Sequence, residues 1–130
     1  MSDRRLISSG SPFEAQVGFS RAVVVDRHVY VAGTAPVMPE GQELPGDAYG
    51  QAVRCLDIIE AALAEAGARL DHVVRTRMYL TRLDAFDGAG RAHGERFGSV
   101  RPANTTVLIA GLVRDEWLVE IEAEAFLHDA

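Results

Sequence analysis

LVEIEAEAF, residues 118–126, alternates without a break: Val119, Ile121, Ala123 and Ala125 fall on one side, Glu120, Glu122 and Glu124 on the other. Successive side chains of a strand point to opposite faces, so the stretch predicts a strand over Leu118–Phe126 with one apolar and one acidic face. A counterpart of opposite sign lies upstream. In Val73–Thr81, Val74, Thr76, Met78 and Leu80 share one face, while Val73, Arg75, Arg77 and Tyr79 share the other. If the two strands are neighbours, their charges pair across the ladder at about 0.2–1 kcal/mol each. Such a face is either a solvated charge ladder or a polar surface covered by another subunit.

Working outward, Ala22–Val25 and His28–Thr34 are rich in β-branched and aromatic residues and are separated only by Asp26-Arg27, which predicts a hairpin. Pro36, Pro39, Gly41, Pro45 and Gly46 make Ala35–Gly46 a loop. Asp47 is a candidate N-cap, and Ala52, Cys55, Leu56, Ile59 and Leu63 then recur at helical spacing until Gly67, predicting a helix from Asp47 to Ala66. A second helix is expected from Asp84 to Phe97, with Phe86, Ala89, His93 and Phe97 on one side. Its Gly88, Gly90 and Gly94 each cost about 1 kcal/mol relative to Ala, which close packing onto a sheet or a frayed helix would explain. Thr105–Ala110 is a further strand. The order ββ-α-β-α-ββ predicts an α/β (α+β) fold, a single mixed sheet with two helices on one face.

The chain of 130 residues suits one domain, and 48% hydrophobic content supplies one core. A formal charge of −6 argues against nucleic acid, whose phosphates call for a basic field. Cys55 is the one cysteine, so no internal disulfide can form, and a buried inert thiol is expected. No stretch approaches the roughly 20 apolar residues of a membrane span. With no apolar signal core at the N-terminus, a cytoplasmic location is expected. His28, His72, His93 and His128 show no pair at ligand spacing, so neither metal nor cofactor is expected. Ser8-Ser9-Gly10-Ser11 reads as a flexible loop, and the residues alone assemble no complete catalytic set.

Three segments go further. Tyr30–Pro36 (YVAGTAP), Arg101–Val107 (RPANTTV) and Val119–Ala123 (VEIEA) resemble the RidA/YjgF family. The resemblance implies a chorismate-mutase-like chain assembled as a homotrimer, its sheets around a central barrel and small-molecule clefts between subunits. It also implies hydrolysis of reactive enamines or imines to keto acids and ammonia. In the family's deaminases an arginine immediately after Pro-Ala holds the substrate carboxylate, and the glutamate that opens the last Glu-Ile-Glu orients water. Carried over, the glutamate is Glu120, while the arginine position holds Asn104, which has no charge to offer. Losing that charge-assisted contact removes roughly 1.5–3 kcal/mol. Ser11-Pro12-Phe13 resembles the deaminases' Gly-Pro-Tyr, so Phe13, or its rival Phe19, replaces the tyrosine. Two rescues are open. Arg75 or Arg77 supplies the cation, or the ligand is less charged. In the second case Thr34, Asn104, Thr105 and Glu120 would hydrogen-bond it between the walls of Phe13, Phe19 and Phe97. The reading is a C=N hydrolase with altered substrate preference or, alternatively, a binding trimer without turnover.

Overall fold

The computed structural model describes residues 3–128. Six strands, β1 (Arg4–Ile7), β2 (Ala22–Val25), β3 (His28–Thr34), β4 (Val73–Leu80), β5 (Ala103–Leu108) and β6 (Val119–Phe126), form one mixed sheet in the order β1-β2-β3-β6-β4-β5. Only β4 and β5 run parallel; the other neighbours are antiparallel. Helices α1 (Pro12–Val17), α2 (Ala48–Glu65) and α3 (Phe86–Phe97) complete the described elements, with short 3-10 turns before β4 and α3.

The predicted neighbours pair. Arg75 lies opposite Glu124, Arg77 opposite Glu122 and Tyr79 opposite Glu120. The opposite face of β6 carries Val119, Ile121, Ala123 and Ala125 into the core with Cys55, Leu56, Ile59 and Leu63 of α2. Asp47 caps α2 by accepting from the Gly50 N–H, and Gly67 takes a left-handed conformation (φ 82°) just beyond the helix. Asp26 turns the β2–β3 hairpin at φ 53°, a conformation that Asp tolerates better than most residues.

Four expectations need correction. The helices among the described residues number three, not two, and a strand β1 and a helix α1 that the sequence reading did not anticipate flank the Ser8–Ser11 segment. Ser11 caps α1 from the Phe13 N–H, Pro12 opens it and Gly18 closes it. In β4 a register shift between Val73 and Arg75 inserts one residue, so Val73 is buried and Val74 is 48% exposed, the reverse of strict alternation. Phe86 does not share the buried side of α3; it is half exposed, and Ala89, Ala92 and Phe97 fill that side. Gly88 is close-packed, but against α2 rather than the sheet: a Cβ there would lie 2.8 Å from the Tyr49 backbone nitrogen.

Candidate functional site

A second register shift, between Val31 and Thr34 in β3, creates the local geometry. The extra residue turns the Ala32–Gly33 backbone out of the ladder. The Gly33 carbonyl then accepts from Arg21 Nη2 at 3.1 Å. The missing Gly33 side chain leaves room for Glu120, since a Cβ there would sit 2.7 Å from Glu120 Oε2. One glycine thus seats both an arginine and a carboxylate.

Around them lies a cleft of about 720 Å³. Pro12, Phe13 and Val17 of α1 and Phe19 wall one side. Ala35, Val37, Met38, Pro39 and Glu40, with Arg54 and Ile58 of α2 and with Val113 and Trp117, contribute much of the rest. Gln51, 1% exposed, staples two of the surrounding loops: its Nε2 donates to the Pro45 and Glu116 carbonyls, and its Oε1 accepts from the Leu118 N–H. Every polar group of that buried amide is engaged, which holds the rim in place.

The electrostatics are uneven. Burial pushes the Glu120 carboxyl above the usual carboxylate range; Arg21 pulls it back and Glu122 pushes it further up. Glu120 has no hydrogen-bond partner among the described residues. Arg21 is 7% exposed. Burial pushes its pKa down while Glu14 and Glu120 pull it up, and the guanidinium remains a cation. Its Nε is buried without any acceptor. Nearby Glu14 is occupied by the Ser8 hydroxyl and by the Ser9 hydroxyl and N–H. Burial alone would raise its pKa, but these bonds and Arg21 hold it below its ordinary value.

Of the residues singled out from the sequence, Glu120, Phe13 and Phe19 meet in this cleft. Asn104 and Thr105 lie on β5, across β4 from Glu120. Asn104 Nδ2 donates to Thr76 Oγ1 at 3.0 Å, and its Oδ1 accepts from the Thr106 hydroxyl at 2.8 Å. Thr76 Oγ1 in turn lies 2.8 Å from His93 Nε2. Thr105 accepts from Arg75. Thr34 is fully buried and donates to the Ala32 carbonyl. Phe97 is a core residue against the His93 ring, so within one chain it walls no cleft. Neither arginine considered as a substitute cation reaches Glu120. Arg77 is held by Glu122 and Glu124, each at 3.1 Å, and Arg75 by Thr105.

Arg21, Gln51 and Trp117 were not singled out from the sequence, and Gly33 only as part of the Tyr30–Pro36 segment. Arg21 precedes a short apolar strand, where an isolated arginine reads as a surface residue, and the bulge that buries it leaves no mark in the alternation. Among the described residues no cluster of His, Cys, Asp or Glu could hold a metal ion, and no helix is long and apolar enough to cross a membrane.

Comparison with known proteins gives a consistent pattern. The sequence model of the family described as Endoribonuclease L-PSP matches residues 9–127. An uncharacterised protein of Streptomyces coelicolor is 38% identical over 122 residues, 94% of this chain and 91% of its own. A 2-iminobutanoate/2-iminopropanoate deaminase of Capra hircus is 32% identical over 123 residues, 94% of this chain and 89% of its own. A Mycobacterium tuberculosis member of the YjgF/YER057c/UK114 family superposes with a TM-score of 0.88 at 41% identity, over 96% of this chain and 100% of that one.

Proposed function

The chain belongs to the endoribonuclease L-PSP family, which is the RidA/YjgF family of the resemblance above, and on that premise we propose that it hydrolyses C=N bonds of small metabolites with Glu120 as the acid–base group. The observation that carries this reading is the Glu120 carboxyl: half-buried, without a hydrogen-bond partner among the described residues and raised above its usual range, in a cleft of ligand size.

The chemistry follows from that environment. Water adds to the carbon of the protonated imine (C=NH2+) while the Glu120 carboxylate takes one of its protons, giving a carbinolamine, C(OH)–NH2. Glu120 returns that proton to the nitrogen, the C–N bond breaks as ammonia leaves, and the hydroxyl proton passes to the Glu120 carboxylate as the carbonyl closes; Glu120 then releases it to water. A carboxyl with a raised pKa holds a proton more readily than an ordinary carboxylate, which suits a group that takes a proton in one step and gives it back in the next.

A homotrimer would complete the site. Edge strand β5 leaves Val107 and Leu108 exposed at 42% and 54%, which supports an assembly along that edge. A neighbouring subunit would then bring its Asn104 and Thr105 towards this cleft. Asn104 stands where the deaminases carry their arginine, so we infer a substrate preference different from theirs. The same residue favours a second reading, a metabolite-binding trimer without turnover, because its amide is already engaged by Thr76 and Thr106.

Ammonia release from 2-aminoacrylate-type enamines and imines made in situ separates the two. Wild type is expected to exceed buffer, and Glu120→Gln to lose about 10²–10⁴-fold in kcat. A wild type no faster than buffer rejects the hydrolase and leaves the binding trimer.

A further inference from the structure

Buried arginines need partners, because an unpaired charge out of water is costly. Arg77, Arg82 and Arg96 each meet a carboxylate in this structure. Arg21 is more deeply buried than any of these, yet it forms no ion pair among the described residues. Its side-chain hydrogen bond among the described residues spends Nη2 on the neutral Gly33 carbonyl, and Nε–H has no acceptor. The two carboxylates within electrostatic reach do not close the gap: Glu14 is turned to the Ser8 and Ser9 donors, and Glu120 stops short of a contact.

The surroundings favour an incoming anion over a water. The guanidinium lies against the Phe19 ring, 5.4 Å from its centroid, which fixes its plane. Arg54, tied by its Nε to the Val37 carbonyl, lines the same cleft and adds a second positive charge. A guanidinium presents a planar fork that fits a carboxylate, and a fork clamped on two sides keeps its geometry when the ligand arrives. Glu120 lies in the same cleft, so a ligand whose anionic group sits on Arg21 presents its adjoining carbon to the acid–base group.

We propose that Arg21 holds the anionic group of the ligand in this cleft, so that the cation and the working carboxylate come from the same chain. This rests on the cleft being the ligand site. It assigns to Arg21, the residue before β2, a role that the resemblance gives, in the deaminases, to the residue after Pro-Ala. The sequence departure at Asn104 then changes where the charge is held, and a ligand with an anionic group still fits the cleft.

The test compares 2-oxobutanoate, a stable keto acid of the product class, with its neutral amide, 2-oxobutanamide. Calorimetry on wild type, Arg21→Met, Arg21→Lys and Glu120→Gln is the readout, with circular dichroism confirming the fold. Wild type and Glu120→Gln are expected to bind the acid at least tenfold more tightly than the amide. Arg21→Met should erase that preference and Arg21→Lys restore part of it. With the imine substrate, Arg21→Lys should raise KM more than it lowers kcat. A folded Arg21→Met that keeps the preference overturns the proposal, as does a wild type that shows none. Should Arg21→Met not fold, Arg21→Lys with an undiminished preference overturns it equally. The preference and the ammonia assay fail independently: an Arg21-dependent preference without turnover retains the anion site and removes only the hydrolase.

Discussion

Glu120 and Glu124 stand on the same strand and the same face, with Glu122 between them, and their surroundings differ completely. Glu122 and Glu124 share Arg77, and Glu122 also accepts from the Tyr79 hydroxyl at 2.5 Å. The bond to Glu122 leads the rise in the pKa of Tyr79, and the bond to Glu124 leads the rise at Arg77. Glu120 meets neither. Its cross-strand neighbour is Tyr79, whose hydroxyl is turned to Glu122, and the bulge at Gly33 opens space on the other side. The contrast teaches that alternation puts carboxylates on a face, while the cross-strand partner and a local backbone irregularity decide which are neutralised and which stay available. The ladder is structural chemistry; the cleft keeps a charge that its own chain has not answered.

Closing the space at Gly33 is the strongest way to break this contrast. In Gly33→Ala the new Cβ meets the end of the Glu120 side chain, which can swing aside, so the fold should persist while the carboxylate is displaced. Misplacement by about 1 Å can cost about 10²-fold, and kcat/KM for the imine should fall by about that factor with the melting temperature little changed. Unchanged kinetics would show that the seat of the carboxylate does not matter. Removing the ladder's cation sharpens the other half of the comparison. Arg77→Met leaves Glu122 and Glu124 as neighbouring unpaired charges, and the effect is modest because solvent reaches all three groups. A fall of a few degrees in melting temperature is expected, with turnover retained. A loss of turnover as large as that of Glu120→Gln, in a variant that stays folded, would mean that ladder and cleft are one unit.

Much of the frame was legible. The alternations in residues 73–81 and 118–126 show which charges share a face of each strand, because period-two patterning is local, while the register that sets Arg77 against Glu122 comes from the structure. Asp47 and Gly67 mark the main helix because caps are local chemistry. The N-terminal region was less legible. β1 has four residues with only Ile7 buried, and α1 is a six-residue helix. Neither is long enough to show a period, although Ser11, Pro12 and Gly18 are a cap, a first-turn proline and a helix stop that could have been read together. The cleft was legible for Glu120 and for the phenylalanines Phe13 and Phe19. Arg21 was missed because its burial depends on the β3 bulge and on packing between segments distant in sequence, neither of which leaves a local pattern. The search for a cation went to Arg75 and Arg77, whose charges the sheet itself consumes.

The ionisation of Glu120 is the most direct test of the central claim. Burial raises its pKa in the folded chain, so the ionised form is the destabilising one. Its favourable contribution to folding is fully present below the usual carboxylate range and is lost as pH rises through the raised value. Carbon-detected NMR titration of side-chain carboxyls, with Glu120→Gln identifying the resonance, reads this without any substrate. The account predicts a Glu120 midpoint above the usual carboxylate range, with Glu120→Gln gaining stability over wild type as pH rises through that midpoint. A midpoint within or below the usual range, with no such gain, would contradict it.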